Sequence, residues 1–292
     1  MKNFDQAGNA HAPDVVLYHA ECTDGFGAAL AVWKRFPKAT FLPVKHGDPP
    51  PEHLVDRHVL MVDFSYGRDV IEAMHEKAAS LFILDHHVTA QAALAGLPYV
   101  YFDLEKSGAV LSWEWIHGEP VPWMMQYIQD KDLWQWRLPN SREINAALSS
   151  YPFEFSVWDQ LRQDVLEVEG RGILRHENVL IDKMIVEAAM VNFEGETVPA
   201  VYSPVLTSQI GERLSKDHPF GIIWHQRNGR RYFSLRSRSG GISVADIAAR
   251  YGGGGHTHAA GFSIALDAGS PDGLDPILNL ELCSISADQP RS

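Results

Sequence analysis

The feature that most constrains the fold is the alternation of short apolar runs with helical segments in the first half of the chain. Apolar runs occur at 15–18, 59–64 and 81–84, and helical patterns occur at 25–36 and 69–79. Continuous apolar strands separated by helices are typical of a parallel sheet that is covered on both faces. The sequence therefore predicts an α/β fold with a parallel sheet and flanking helices.

The last third of the chain returns to strand patterns after a long helical stretch. A hairpin is expected between 221–225 and 232–235, because Asn228-Gly229 strongly favours a type I′ turn. Ser243 is expected to cap a helix that ends near Arg250, just before four consecutive glycines. These patterns predict a second, smaller α/β domain.

The order of these segments predicts the domain organisation. We expect a metal-binding catalytic domain at 1–154, a helical linker at 155–195 and a smaller α/β substrate-binding domain at 196–292. No apolar run is long enough to span a membrane, and the N-terminus lacks the order of a secretory signal. A cytoplasmic protein with no membrane association is the resulting expectation.

Charge and cysteine content narrow the classes of function. The net charge of −12 lies entirely before position 196, because the remainder holds nine basic and nine acidic residues. A protein that binds long nucleic acid is usually basic. The Arg-rich segment 227–238 instead indicates a small anion site. Two distant cysteines, Cys22 and Cys283, argue against a disulfide scaffold and against a CxxC-type zinc site.

Metal-capable side chains follow all three predicted strands. They are His19 and Asp24 after the first, Asp63 at the end of the second, and Asp85, His86 and His87 at the end of the third. Alone, Asp63 is typical of a turn residue and His19 of a core histidine. The carboxyl ends of parallel strands share one edge, however, and ligands bind outside it. Several carboxylates in one crevice would repel each other without a cation, so the pattern favours a metal site.

Several motifs, in order, resemble those of one enzyme family. LDHHVTA resembles the signature of the DHH phosphoesterase family, which includes RecJ-like exonucleases, nanoRNA-degrading enzymes and family II pyrophosphatases. YHAECTDGFGAAL resembles its first motif, MVDFS its second, and Asp130 in YIQDKDLW its fourth. SLRSRSGGISVADIAARYGGGGHTHAAGF resembles the DHH-associated domain, so the resemblance covers nearly the whole chain.

The resemblance implies two bound metal ions, usually Mn²⁺ with Mg²⁺ as the alternative, and a bridging Asp63. The other implied ligands are His19 and Asp24 from the first motif, His86 from the third and Asp130 from the fourth. Asp85 is either a further ligand or a support for the ligands. His87, if protonated, would donate to the departing oxygen, which makes His87, Asp85 and Asp63 the implied catalytic residues.

The first motif departs from the family pattern at one position. Family members commonly carry two aspartates separated by one residue, and this spacing falls here either on Cys22 and Asp24 or on Asp24 and Phe26. The first alignment is preferred because 28–30 then falls in register with the helix, and it puts Cys22 in the place of the first aspartate. Cys22 is then either a thiolate ligand or a spectator thiol. The departure concerns one metal site and leaves the family resemblance intact.

The C-terminal motif supplies the predicted substrate-binding residues. They are Arg236, Ser237, Gly253, Gly254, Gly255 and His256. Arginine is a bidentate phosphate partner, and free backbone N–H groups of glycines can bind an anion. The resemblance implies that this domain holds the nucleotide or terminal phosphate against the metals. The outer arginines 227, 230 and 231 are more typical of an exposed hairpin tip.

Five tryptophans in the helical stretch admit two interpretations. Packing in the helical layer is the favoured role for Trp113, Trp115, Trp123, Trp134 and Trp136, because aromatic side chains dominate cores. Base stacking is the alternative, and Trp134, two residues beyond Asp132, is the position at which to test it.

The leading functional prediction is a metal-dependent phosphoesterase that hydrolyses short oligonucleotides or small nucleotides. The alternatives are a polyphosphate or pyrophosphate hydrolase and a non-catalytic nucleotide sensor. A short single-stranded substrate is favoured because the chain is acidic and its Arg cluster is small. A homodimer is compatible with the sequence.

Overall fold

The structure is a computed structural model that describes residues 12–266; the outer ends of the first and last predicted domains, and Cys283, lie outside the described residues. The chain divides into two compact units, 1–175 and 176–292. The division falls inside the predicted linker 155–195, and the functional assignment of the three predicted segments stays a prediction. No helix in the described part of the chain combines the length and apolarity that crossing a membrane requires.

The first unit contains a five-stranded sheet. Its strands are β1 (Val15–His19), β2 (Thr40–Val44), β3 (His58–Val62), β4 (Ser80–Asp85) and β5 (Val100–Phe102). Its helices are α1 (Thr23–Arg35), α2 (Arg68–Lys77), α3 (Val88–Ala93), α4 (Gly108–His117), α5 (Trp123–Asp132), α6 (Ser141–Leu148), α7 (Phe155–Trp158) and α8 (Gln163–Val186), the last of which continues into the second unit. The order is β2-β1-β3-β4-β5 and every pairing is parallel, which confirms the predicted parallel sheet.

Both faces of this sheet are covered, as its apolar strands predict. Val16, Leu60 and Leu84 on one face pack in a cluster with Ala28 of α1 and Leu111 of α4. The alternate strand residues on the other face pack with α2; they are Leu17, Met61 and Ile83, in one cluster with Ile71 and Met74. Because side chains alternate along a strand, two buried faces require continuous apolar runs.

The strand order creates a switch point between β1 and β3. The chain moves from β1 to one side to form β2, and then returns to the other side of β1 to form β3. The connections that leave the carboxyl ends of β1 and β3 therefore diverge. In open α/β sheets, ligands bind in the crevice that opens at such a point.

The second unit contains a six-stranded sheet. Its strands are β6 (Ala189–Phe193), β7 (Glu196–Tyr202), β8 (Gly221–Arg227), β9 (Arg230–Arg236), β10 (Gly254–His256) and β11 (Ala259–Ala265). Its own helices are α9 (Thr207–Leu214) and α10 (Val244–Arg250). The order is β10-β11-β9-β8-β7-β6, antiparallel except for the parallel pair β7–β8. The predicted smaller α/β fold is confirmed.

Two local predictions in this unit are confirmed in detail. The β8–β9 hairpin turns at Asn228 and Gly229, whose φ angles of 51° and 68° are those of a type I′ turn. The side chain of Ser243 accepts a hydrogen bond from the backbone N–H of Asp246 and so caps α10. A core that includes Phe220, Phe233 and Phe262 lies between the sheet and α10.

Candidate metal centre

The predicted metal-capable residues of the first unit meet at the carboxyl edge of its sheet. His19 is the last residue of β1, Asp63 directly follows β3, and Asp85 is the last residue of β4. His86 and His87 lie between β4 and α3. The parallel arrangement brings three separate segments to one place, and the switch point between β1 and β3 lies among them.

The imidazole of His86 lies among three carboxylates. Its Nε2 is 3.0 Å from Asp63 Oδ1, 3.5 Å from Asp24 Oδ2 and 3.7 Å from Asp132 Oδ2. The side chains of His86, Asp63 and Asp24 are each only 1% exposed. Buried carboxylates at such short separations repel one another strongly, because water does not screen them.

Asp63 is held rigidly but its charge is poorly compensated. Its backbone N–H donates to the Leu84 carbonyl at 2.9 Å, and its φ of 57° lies in the left-handed region, which Asp tolerates. Its Oδ2 is buried and accepts no hydrogen bond from the described residues; His19 Nδ1 is 3.8 Å away. Burial and the charge of Asp24 raise the pKa of Asp63 well above its usual range.

Asp24 joins two helices at this edge. It lies in the first turn of α1, and its carboxylate accepts hydrogen bonds from the N–H groups of Gly108 and Ala109 at 2.6 and 2.9 Å. These donors form the N-terminus of α4, where the helix dipole favours a negative charge. A Cβ at Gly108 would lie 2.5 Å from the Cβ of Asp63, so only glycine permits this close approach.

Asp85 organises the two histidines that follow it. Its Oδ1 accepts from the His86 N–H at 2.7 Å and from His87 Nδ1 at 2.7 Å, and its Oδ2 accepts from the Ser65 hydroxyl at 2.6 Å. Burial alone would raise the pKa of Asp85, but the charge and hydrogen bonds of His87 and Ser65 outweigh it and lower that pKa. Burial works against protonation of His87 as well, yet Asp85 raises the pKa of His87 to about 9.

The structure does not bring Asp130 to this cluster and brings Asp132 instead. The Asp130 carboxylate accepts from the N–H groups of Arg137 and Leu138 at 2.8 and 3.2 Å, so it holds the loop after α5. Asp132 Oδ2 accepts no hydrogen bond from the described residues, and its pKa is raised to about 6 by burial and by Asp24. Asp132 is a candidate ligand that the sequence analysis did not select.

Cys22 and His46 lie at the margin of the cluster. Cys22 precedes α1, and burial together with Asp24 and Asp132 raises the pKa of its thiol to about 12. His46 follows β2 at the same sheet edge, and its ring centroid is 5.7 Å from that of His19. His46 was not among the residues predicted from the sequence, although its place just after a parallel strand is the same kind of signal that identified the other metal-capable residues.

The donor set fits divalent cations. In three overlapping groups the potential ligand atoms lie within 4.8 Å of one another; the groups are His19, Cys22 and Asp63; Asp24, His86 and Asp132; and Asp63, Asp85, His86 and His87. Asp63 belongs to two groups, and carboxylate oxygens outnumber sulfur. Carboxylates with a minority of imidazoles suit Mn²⁺ or Mg²⁺. The uncompensated oxygens of Asp63 and Asp132 are the atoms that such ions would neutralise.

In the second unit, Arg236 is the predicted substrate-binding residue with the most distinctive environment. It ends β9, and its guanidinium donates to Ser208 Oγ at 3.0 Å and to the Leu235 carbonyl at 2.9 Å. Burial lowers its pKa to about 10. Arg231 was expected at an exposed hairpin tip, but it is only 5% exposed and lies 4.9 Å from the Trp224 ring centre, whereas Arg227 and Arg230 are exposed.

The other predicted substrate-binding residues of this unit have structural roles. The Ser237 hydroxyl donates to the Ile242 carbonyl and lies 2.9 Å from His258 Nδ1. The pairing of β10 with β11 aligns Gly254 with Gly261, Gly255 with Ala260, and His256 with Ala259. A Cβ at Gly253 or Gly255 would collide with β11 backbone, so packing alone requires these glycines. Their binding of a phosphate, and that of His256, stays a prediction.

Comparison with known sequences gives two relatives. The uncharacterized protein R106 of Acanthamoeba polyphaga mimivirus is 30% identical over 289 residues, which span 88% of this chain and 69% of R106. Oligoribonuclease NrnB of Bacillus subtilis is 26% identical over 187 residues, which span 53% of this chain and 46% of NrnB. No protein-family model matches the chain.

Comparison with solved structures identifies a protein of similar fold. The crystal structure of RecJ from Thermus thermophilus, in complex with Mn²⁺, matches with a TM-score of 0.50 and 16% identity, and the match covers 88% of this chain and 50% of RecJ. The relation to R106 extends over most of both proteins, and the Asp85-His86-His87 signature lies at the sheet edge with the other motif residues. The chain belongs to the DHH phosphoesterase family.

Proposed function

We propose that this DHH phosphoesterase uses two divalent cations, preferably Mn²⁺, to hydrolyse phosphodiester bonds of short oligonucleotides or small nucleotides. The similarity to the oligoribonuclease NrnB supports the substrate class, and the Mn²⁺ in the RecJ structure of similar fold supports the metal. The acidic character of the chain supports a short substrate over a long duplex.

The observation that carries this proposal is the environment of His86. Three carboxylates lie within 3.7 Å of its Nε2, and two of them contribute an oxygen that accepts no hydrogen bond from the described chain. Such an arrangement is unfavourable unless a cation or a proton neutralises it. Asp63 would be shared between the two cations, His19 would hold the first, and Asp24, His86 and Asp132 would hold the second.

The chain's own residues would divide the remaining work. When bound, the two cations lower the pKa of a water molecule and neutralise charge on the phosphoryl oxygens. Asp85 fixes the ring of His87 through Nδ1 and favours its protonated form, so that Nε2 would donate a proton to the leaving oxygen. Bound cations would oppose that protonation and bring the pKa of His87 nearer to neutrality.

Arg236 would bind a phosphate of the substrate in the second unit. Its guanidinium has neutral hydrogen-bond partners, the Ser208 hydroxyl and the carbonyls of Leu235 and Ala260. A guanidinium without a carboxylate partner retains its affinity for an anion, and phosphate matches its planar donor geometry.

The test is a substrate panel with a matched inactive variant. Wild-type protein and His86→Asn would each be incubated with Mn²⁺ and di- to decanucleotides, nucleoside bisphosphates, cyclic dinucleotides and polyphosphate. We expect release of mononucleotides from the shortest oligonucleotides by wild type alone. Turnover of polyphosphate in preference to any nucleotide would replace this proposal by a phosphoanhydride hydrolase. Binding of nucleotide without turnover of any substrate would replace it by a sensor.

A further inference from the structure

The loop after α5 contains two tryptophans in an unusual backbone conformation. Trp134 and Trp136 have φ angles of 54° and 53°, in the left-handed region. Trp134 directly follows Leu133, the C-cap residue of α5. Glycine is the residue usually found directly after a C-cap in the left-handed conformation. For a bulky side chain this conformation is a genuine outlier. Backbone preference alone would not select tryptophan at either position.

Asp130 fixes the backbone of this loop through both its carbonyl and its carboxylate. Its carbonyl accepts from the N–H groups of Gln135 and Trp136, and its carboxylate accepts from those of Arg137 and Leu138. Four hydrogen bonds from consecutive residues therefore fix the backbone. The strained conformation is imposed by these contacts, and strain that a structure over-determines in this way is concentrated at functional sites.

The environment of these two side chains differs from that of the other six tryptophans. Trp33, Trp113, Trp115, Trp123, Trp158 and Trp224 all belong to or pack against an apolar cluster. Trp134 and Trp136 belong to none of the apolar clusters of the described residues and are only partly buried. Core packing therefore accounts for six of the tryptophans but does not account for these two.

The two indoles and one arginine form a small platform. The ring centroids of Trp134 and Trp136 are 4.9 Å apart with an interplanar angle of 75°, and the Arg142 guanidinium lies 4.2 Å from the Trp136 ring centre and 6.0 Å from that of Trp134. Trp136 thus contacts both the Trp134 indole and the Arg142 guanidinium. Its buried Nε1 has no acceptor among the described residues, so packing within the chain leaves it incompletely satisfied.

This platform borders the candidate metal centre. Trp134 is two residues beyond Asp132, whose Oδ2 is 3.7 Å from His86 Nε2. Two residues span at most about 7 Å, so the backbone of Trp134 lies no farther from that of Asp132 than the length of about one nucleotide. We propose that Trp134, supported by Trp136 and Arg142, stacks on the nucleobase next to the scissile phosphate and gives the site its preference for nucleotides over bare phosphate chains. This inference rests on the proposed phosphodiesterase function.

The test compares two substrates and two variants of the whole 292-residue chain loaded with Mn²⁺. The substrates are a diribonucleotide and its abasic analogue, which has the same phosphodiester but no bases. Stacking on one aromatic ring contributes about tenfold or more in affinity. We expect wild type to show a KM about tenfold lower for the dinucleotide. Trp134→Gly should abolish that difference by raising only the dinucleotide KM, and Trp134→Phe should largely restore it.

Structural damage is separated from lost stacking by stability and metal content. Glycine accepts the left-handed conformation, so Trp134→Gly should keep its metals, and its melting temperature should lie within a few degrees of that of wild type. If Trp134→Gly melts much lower, Trp134→Phe and the wild-type comparison of the two substrates decide the question. Equal KM values for the two substrates in wild type, or equal losses on both in Trp134→Gly, would overturn the inference.

Equilibrium binding separates this inference from the proposed function. Both ligands would be titrated into each protein with Ca²⁺ in place of Mn²⁺, and binding would be measured by calorimetry. A preference for the dinucleotide that Trp134→Gly removes would support stacking even if wild type hydrolyses neither ligand, in which case the proposed function alone fails. Binding of both ligands with the same affinity overturns the stacking inference whatever the turnover.

Discussion

Two regions of the molecule share one property although their charges have opposite signs. The carboxylate cluster of the first unit and the surroundings of Arg236 in the second unit each contain a buried charged group without a counter-charge from the described residues. In the cluster, Asp63 and Asp132 each have a buried oxygen that accepts no hydrogen bond from the described chain, and their pKa values are raised. Around Arg236, the guanidinium has only neutral partners among residues 12–266, and burial lowers its pKa. Each region therefore has buried charge that no group in the described part of the chain neutralises.

The difference in sign predicts the ligand that each region needs. Burying a charge without a counter-charge costs free energy, and a ligand of opposite sign recovers it. The cluster therefore favours a cation or a proton, and Arg236 favours an anion. Function and stability should respond in opposite directions when either charge is removed, because a group that is optimal for binding is unfavourable without its ligand.

Asp63→Asn should have the largest effect. We expect both cations to be lost and kcat/KM to fall by about 10³-fold or more, equal to about 4 kcal/mol, because a shared ligand serves both ions. Without metal, the variant should nevertheless have a higher melting temperature than wild type. Asn tolerates the left-handed φ of 57°, and the substitution removes a carboxylate whose raised pKa shows that its charge is unfavourable in the fold. Metal content and thermal melts in chelator check both parts. A variant that keeps both ions and near-normal turnover would exclude Asp63 as the bridge.

Asp132→Asn and Asp130→Asn form a matched pair two residues apart. Asp132→Asn should weaken metal binding and lower kcat/KM by about 10²-fold, because it removes one of the proposed ligands. Asp130→Asn should keep its metals but lose about 1–3 kcal/mol of stability, because an amide offers one acceptor oxygen to the two N–H groups of Arg137 and Leu138. Loss of metal in the Asp130 variant, with retention in the Asp132 variant, would reverse the assignment.

The same Asp132 variant predicts a pH dependence with a definite sign. The pKa of Asp132 is raised to about 6 in the folded chain, so the proton that it binds stabilises the fold below about pH 4, and this contribution is lost as the pH rises through 6. In chelator, wild type and Asp132→Asn should be equally stable near pH 4. Above pH 6 the variant should be more stable by up to about 3 kcal/mol. Urea unfolding at several pH values measures the difference, and a constant difference across this range would contradict the raised pKa.

Arg236→Gln should affect substrate and leave the metals in place. A charge-assisted hydrogen bond to phosphate is worth about 1.5–3 kcal/mol, so KM for a dinucleotide should rise about ten- to a hundredfold. Arg238→Gln is the matched control, because Arg238 lies two residues away and is exposed. Phosphate should raise the melting temperature of wild type and of the Arg238 variant more than that of the Arg236 variant. Metal loss on Arg236→Gln would show that the cation and anion sites are not independent.

The central part of the fold was predictable because its strands are buried on both faces. The strands β1, β3 and β4 consist of nearly continuous apolar residues, which is a strong signal. The edge strands β2 and β5 were not predicted. The sequence of β2, TFLPV, contains a proline that is tolerated only at an edge, and β5 has three residues. Such strands are defined by their neighbour in the sheet and not by their own pattern.

The candidate site was predictable to the extent that strand ends determine it. His19, Asp63 and Asp85 follow from the shared edge of a parallel sheet, and His46 was missed because β2 was missed. The choice between Asp130 and Asp132 depends on a different property. Two residues apart on α5, they point about 200° away from each other, so only the packing of α5 decides which carboxylate reaches His86.

Cys22→Ser should have the smallest effect, and it tests how far the cation preference of the cluster extends. Burial, Asp24 and Asp132 raise the pKa of the Cys22 thiol to about 12, so the same carboxylates that attract cations oppose a thiolate. We therefore expect a spectator thiol, with a stability change within about 1 kcal/mol. Metal titrations of Cys22→Ser should superimpose on those of wild type. A clear loss of affinity, or a shift in preference between Zn²⁺ and Mn²⁺, would instead identify the sulfur as a ligand, because a neutral hydroxyl is a much poorer donor than a thiolate.

Cys22→Asp provides the converse measurement, since it restores the two-aspartate first motif. If charge alone governs the cluster, this variant should bind Mn²⁺ more tightly but be less stable in chelator.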